Sequence, residues 1–144
     1  KPLWEADAIS LRLSRLAGGA FWPDEFAVEI MMWVSWSAHH FTNAGAALVW
    51  HNYTAKAFMG DPDPQVVEDT TTDFKRFAAI LDSTLSDRDW LVGNKLTYAD
   101  FRVASALPYA ERGLVPLDLF PNMRAWHDRL NEIDAWREPF AGLS

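Results

Sequence analysis

The 144-residue sequence has no cysteine, which excludes disulfides, zinc–thiolate sites and a cysteine nucleophile within these residues. Basic residues are few: 13 Lys and Arg face 20 Asp and Glu, and the formal net charge is -7. Nucleic acids and anionic membrane surfaces attract clustered Lys and Arg. The sequence has no such cluster, so neither is a predicted partner. No apolar run approaches the roughly 20 residues of a membrane span, and no targeting segment is recognisable. These absences predict a cytoplasmic protein.

What the sequence does contain is apolar residues, 49% of the chain, recurring at spacings of three and four. The clearest pattern follows Asp63-Pro64, where Asp63 suits an N-cap and Pro64 the first helical position. The residues that follow predict a helix of about 22 residues with a mostly apolar stripe along one face. Its members are Val67, Thr71, Phe74, Ala78, Leu81 and Leu85.

Other helical patterns begin near Glu5, near Asp24 and after Phe120-Pro121. The pattern that begins near Asp24 has apolar side chains on more than one face, which predicts a buried central helix. This helix is either bent near Gly45 or divided into two stacked pieces. We interpret Leu3 and Trp4 as the last residues of a buried strand. No strand pattern of convincing length follows them in the sequence. Consecutive helices with short connections predict an all-α bundle.

The stretch "LTYADF" carries two helix-start signals at once. Thr97 and Asp100 have the spacing of a capping box, while Leu96 and Phe101 stand at the positions of a hydrophobic staple. The pattern predicts a helix that starts at Thr97 and runs toward 112–113, with a bend at Pro108. We interpret these four residues as structural.

Three stretches carry a resemblance to the bacterial glutathione S-transferase family: "LWEADAI", "DWLVGNKLTYADF" and "FPNMRAWHDRL". The second is the most specific, because turn, staple and cap coincide in order. The resemblance implies a C-terminal-type helical bundle over residues 20–144. Residues 1–19 would then be a remnant, the last strand and helix, of a thioredoxin-like domain.

The resemblance also implies a glutathione site at Glu5 and Ala6, which would hold the γ-glutamyl end. The residue after the Glu is usually Ser in the family, so Ala6 leaves only a backbone N–H there. An alternative interpretation is that Glu5 and Asp7 only stabilise a first helical turn. The thiol-activating Ser, Tyr or Cys of the family precedes residue 1, so no catalytic residue is assigned.

The family's electrophile pocket would be bordered by the central helix, with four candidate residues: Trp33, Ser37, His40 and Phe41. In the alternative interpretation, Trp33 and Phe41 are core residues and the histidines are solvated. His51 lies 11 or 12 residues beyond His39 and His40, which is about 16 to 18 Å along a helix. The three histidines cannot share an ion at that distance, so no metal site is predicted.

The implied reaction is attack of the glutathione thiolate on a small apolar electrophile, with glutathione as co-substrate, no cofactor, and a homodimer as the assembly. Two alternatives stay open. One is a non-catalytic helical interaction module, which would display apolar surface where the thioredoxin-like domain docks. The other is a related glutathione-dependent reductase or peroxidase.

Overall fold

The computed structural model describes residues 2–142, which form eight α-helices connected by π-helical turns, 3₁₀ turns and loops. Extended pairing among these residues is limited to a single bridge between Val92 and Lys95, and no strand forms. The predicted all-α class is therefore confirmed. The helices are α1 (Ala6–Leu16), α2 (Ala27–Trp36), α3 (Thr42–Val49), α4 (Lys56–Met59), α5 (Pro64–Thr84), α6 (Tyr98–Ala104), α7 (Pro121–Asn131) and α8 (Asp134–Arg137).

The segment before α1 differs from the sequence prediction. Leu3 and Trp4 are exposed, Trp4 to 73%, and their backbone is not in a strand. A strand takes its hydrogen bonds from a neighbouring strand, and none of the described residues supplies one. Leu3 and Trp4 therefore form no strand among the described residues.

The central helix is continuous and contains two wider turns. Helices α2, α3 and α4 are joined by π-helical turns at Ser37–Phe41 and Trp50–Thr54. The backbone is regular α-helix at Gly45, so the predicted bend there is wrong. Gly45 lies in a tightly packed contact instead, because a Cβ at this position would lie 3.1 Å from the Cβ of Ala106.

Helix α5 packs against α3 and α7 and supplies much of the core. Phe74, Ala78 and Leu81 on its predicted stripe are fully buried. The backbone N–H of Gln65 donates to Asp63 Oδ1 at 2.9 Å, so the predicted N-cap and the proline at the first position are confirmed. Among the described helices, none is long and apolar enough to cross a membrane.

Helix α6 is shorter than predicted. It ends at Ala104 and gives way to a 3₁₀ turn, Leu107–Tyr109, that contains Pro108. Proline has no N–H to donate, and its ring collides with the carbonyl four residues earlier, so the helix cannot continue to 112–113.

The start of α6 carries reciprocal capping bonds. The side chain of Thr97 accepts from the backbone of Asp100, and Asp100 Oδ2 accepts from the backbone N–H of Thr97 at 2.9 Å. Leu96 and Phe101 are partly buried against the core. Burial raises the pKa of Asp100, and the hydrogen bonds it accepts oppose that shift.

Candidate functional site

The N-terminus of α1 holds the residues predicted to bind glutathione. Glu5 is exposed and stands at the N-cap position, where its side chain makes no capping hydrogen bond. Its backbone has φ 71°, an unusual conformation for a residue with a side chain. Ala6 is also exposed and begins the helix. The first N–H groups of a helix lack intrahelical partners, so this end is suited to an anion.

Asp7, one residue further on, fastens α1 to α6. Its Oδ1 accepts from the Tyr98 hydroxyl at 2.7 Å and from Arg102 Nε at 3.0 Å. Burial, more than the nearby Asp7 carboxylate, raises the pKa of Tyr98 to about 12, so the phenol stays a donor at neutral pH. The Asp7 carboxylate is therefore engaged in hydrogen bonds within the protein. These bonds fix the position of the exposed N-terminus of α1 relative to α6.

Replacing Asp7 with alanine is expected to lower the free energy of unfolding by about 1 to 2 kcal/mol, because the Tyr98 hydroxyl and the largely buried Arg102 would both lose their acceptor. Chemical denaturation measures this loss. Asp24→Ala is the matched control, since its pair with Arg15 spans 3.6 Å and is largely exposed. A surface pair of that kind contributes little. Equal losses in the two variants would contradict the assigned role of Asp7.

The four predicted electrophile residues do not share one surface. Ser37 and Phe41 are fully buried, and Ser37 Oγ donates to the carbonyl of Val34 at 3.0 Å. An added domain buries further surface and exposes none, so these two cannot line a pocket in this conformation. Their place in the core corrects the prediction, and for Phe41 it agrees with the core alternative.

Trp33 and His40 lie closer to the surface, and the rings of both lie near that of Trp36. Trp33 is partly buried and packs edge-on against Trp36, with ring centroids 5.2 Å apart. His40 packs against Phe77 of α5 at 5.0 Å and lines a cavity of about 310 Å³. No group of His, Asp and Glu in the described part of the chain has a metal-binding arrangement.

A different face of the central helix borders an apolar cleft of about 240 Å³. Its two large side chains are Trp50 and Tyr109, each about half exposed. The remaining lining residues come from the central helix and from the segment that follows α6: Thr42, Ala46, Val49, Thr54, Ser105 and Ala106. The cleft is therefore a mostly apolar groove with an aromatic ring from each wall.

Arg102 connects this cleft to the exposed end of α1. Its Nε donates to Asp7, and its Nη1 donates to the hydroxyl of Ser105 at 3.4 Å. The first turn of α1, through Asp7, and the apolar cleft, through Ser105, are thus linked by one side chain. Sequence reasoning missed Trp50 and Tyr109, because nothing in their local spacing distinguishes a cleft from ordinary surface.

The structure is an all-α bundle whose first helix is linked to an apolar cleft. The family model described as glutathione S-transferase, C-terminal domain, matches residues 39–134. The chain belongs to this family.

Comparison with individual proteins gives a more distant likeness. FtsZ-localized protein A of Caulobacter vibrioides is 26% identical over 107 residues, covering 72% of this chain and 47% of that protein. This chain therefore spans about half the length of that curated relative.

Solved structures share the fold. Glutathione S-transferase I from maize, in complex with an atrazine glutathione conjugate, has a TM-score of 0.84 at 22% identity, covering 94% of this chain and 66% of that one. Ure2p5 from Phanerochaete chrysosporium, cocrystallised with 1-(S-glutathionyl)-2,4-dinitrobenzene, has a TM-score of 0.81 at 24% identity, with coverage of 94% and 66%.

Proposed function

We propose that this chain is the helical part of a glutathione transferase that conjugates the glutathione thiolate to small apolar electrophiles. In this proposal residues 1–19 end a thioredoxin-like domain, and residues 20–144 form the helical domain. Glutathione is the co-substrate, and the assembly is a cytoplasmic homodimer. The thiol-activating group belongs to the thioredoxin-like domain. The solved relatives that carry glutathione conjugates support the substrate class.

The observation that carries the proposal is the linkage from α1 to the apolar cleft through Arg102. Glutathione held at Glu5 and Ala6 would be anchored beside Asp7. An apolar electrophile would lie between Trp50 and Tyr109, whose exposed rings provide the contact area. Holding the two reactants on elements that Arg102 links would supply the proximity that a conjugation reaction needs.

The apolar surface of α1 supports the two-domain arrangement. Leu13 and Leu16 lie three residues apart on this helix and are exposed, as are Leu3 and Trp4 before it. Contiguous exposed apolar side chains are typical of a surface that another element covers. In the proposal that element is the rest of the thioredoxin-like domain.

The first test is the intact mass of the protein isolated from its source, compared with 16.4 kDa. The proposal expects an excess of about 7 to 9 kDa, the size of a thioredoxin-like domain. That form should conjugate glutathione to 1-chloro-2,4-dinitrobenzene. A protein of the larger mass with no conjugation of any apolar electrophile tried would count against the transferase function.

Trp50→Ala tests the cleft directly. We expect it to weaken binding of 1-(S-glutathionyl)-2,4-dinitrobenzene about tenfold, because the dinitrophenyl ring loses an aromatic wall. Isothermal titration calorimetry on the same full-length protein measures the affinity. Phe58→Ala is the control, since Phe58 is 82% exposed and does not line the cleft. Equal affinities for Trp50→Ala and the unchanged protein would place the electrophile elsewhere.

A second candidate function is a non-catalytic interaction module. Ala6, which supplies no hydroxyl to glutathione, favours it, and so does the relative named for its localisation with FtsZ. This candidate is tested by co-sedimentation of the chain with FtsZ polymers from the organism that the chain itself comes from. Saturable co-sedimentation together with absent conjugation would support the module, whereas conjugation without co-sedimentation would support the enzyme.

A further inference from the structure

A wider groove adjoins the apolar cleft of Trp50 and Tyr109. It measures about 570 Å³ and lies between the segment that follows α6 and the C-terminal residues 135–140. Ser105 and Tyr109 line the cleft and the groove alike, so the two spaces are neighbours. The proposed function places an electrophile in the cleft and gives the groove no role.

The sizes of the two spaces bear on what the electrophile is. The cleft alone measures about 240 Å³, which is less than the several hundred Å³ of a typical small-molecule site. The cleft and the groove together reach that range. A molecule longer than the cleft has to continue past its wall, and the groove is the space next to Tyr109 on that path.

The lining of the groove is mainly apolar and aromatic. Its members of this kind are Pro108, Tyr109, Ala135, Trp136, Pro139 and Phe140. Trp136 is partly buried and packs edge-on against Phe101, with ring centroids 5.3 Å apart, so its position is fixed. Phe140 is 78% exposed. Aromatic rings bury a large area when another ring packs against them, so this lining suits an aromatic group.

The charged residues of the groove do not favour an ionic ligand. Both arginines of the lining already have partners within the protein. Arg112 donates to the Tyr53 hydroxyl at 3.2 Å, and Arg137 pairs with Asp134 at 2.5 Å. The third charged residue, Glu111, would repel an anion. An uncharged group therefore fits the groove best, because it loses no strong hydration on entry.

We propose that the electrophile site continues from the cleft into the groove, and that its substrates are elongated, uncharged electrophiles with a second aromatic ring. The reacting ring would lie between Trp50 and Tyr109, and the second ring against Trp136 and Phe140. This inference rests on the proposed transferase function. The groove adds selectivity for the length of the electrophile and takes no part in the attack by the thiolate.

Two unreactive thioethers of glutathione test the extension on the full-length protein. S-benzylglutathione carries one ring, and S-(4-phenylbenzyl)glutathione carries a second ring in line with the first. Isothermal titration calorimetry measures both affinities. We expect the two-ring compound to bind about tenfold more tightly, because its second ring leaves water for the groove. The ratio of the two affinities is the measured quantity.

Variants of the groove separate this contact from general apolar binding. Phe140→Ala should lower the tenfold ratio to about twofold, because the second ring loses its exposed wall. Ala135→Trp fills part of the groove and should lower the ratio to about one. Both residues are exposed, so neither change disturbs the core. Phe58→Ala is the matched control, since it removes another exposed phenylalanine that lines neither space, and it should keep the tenfold ratio.

The same titrations distinguish failure of the extension from failure of the proposed function. If both compounds bind equally well, the extension is overturned while the transferase proposal stands, because glutathione and the first ring are still bound. A tenfold ratio that persists in both Phe140→Ala and Ala135→Trp would place the second ring elsewhere and would also overturn the extension. If neither compound binds, the proposed function fails and the extension fails with it.

Discussion

Asp100→Ala is expected to lower the free energy of unfolding by about 3 to 5 kcal/mol, a large part of the stability of a typical domain. The carboxylate is fully buried and joins three parts of the chain. It accepts hydrogen bonds from the backbone N–H groups of Leu91 and Thr97 and from Trp126 Nε1, at 2.9 to 3.0 Å. Alanine would leave all three donors buried without an acceptor, and each orphaned donor costs about 1 to 3 kcal/mol.

Urea unfolding of three variants distinguishes this network from simple capping. Thr97→Ala removes the cap side chain alone and should cost about 1 to 2 kcal/mol. Asp100→Asn keeps one acceptor oxygen but turns an NH₂ group toward one of the donors, so its loss should fall between the other two. If Asp100→Ala costs no more than Thr97→Ala, the bonds to Leu91 and Trp126 contribute nothing.

Asp100 also shows how far the sequence alone could lead. The capping box was predictable because Thr97 and Asp100 are three residues apart, and the bond between them depends only on local backbone geometry. The same holds for Asp63 and Pro64 at the start of α5. The bonds from Asp100 to Leu91 and Trp126 span nine and 26 residues, and no local spacing encodes them.

Two of the candidate electrophile residues, Ser37 and Phe41, fail for a related reason. The resemblance points to the central helix as a border of the pocket, but these two residues lie on its core-facing side. The helix also widens into π-helical turns, which alter the register that a regular spacing assumes. The cleft further requires Tyr109, which is brought there by the tertiary packing of the segment after α6. Only the packed chain brings these residues together.

Gly113→Ala is expected to lower the free energy of unfolding by about 2 to 3 kcal/mol through overpacking. A Cβ on Gly113 would lie 2.6 Å from Val49 Cγ2 and 3.0 Å from Val49 Cα. The second contact is with backbone, so a change of side-chain rotamer cannot relieve the collision. The loop must move away from the helix, which also breaks the 2.9 Å hydrogen bond from Asn52 Nδ2 to the carbonyl of Gly113.

A double-mutant cycle with Val49→Ala separates these effects, measured as unfolding free energies in urea. Removing Val49 Cγ2 relieves the nearest contact but leaves the backbone contact, so the double variant should recover about 1 kcal/mol relative to the sum of the single variants. Asn52→Ala reports the hydrogen bond alone and should cost about 1 kcal/mol. Strict additivity in the cycle would mean that the close approach of Gly113 to Val49 is not what limits the packing.

The same substitution has a consequence for the apolar cleft, because the Gly113 loop is tied to both of its walls. Val49 lines the cleft from the central helix, and Tyr109, whose carbonyl accepts from the Gly113 N–H at 2.9 Å, lines it from the other side. Moving the loop outward should widen the groove between Trp50 and Tyr109. Gly113→Ala should therefore weaken binding of 1-(S-glutathionyl)-2,4-dinitrobenzene under conditions where the variant is still folded, whereas Thr97→Ala should not, since Thr97 lies outside the cleft.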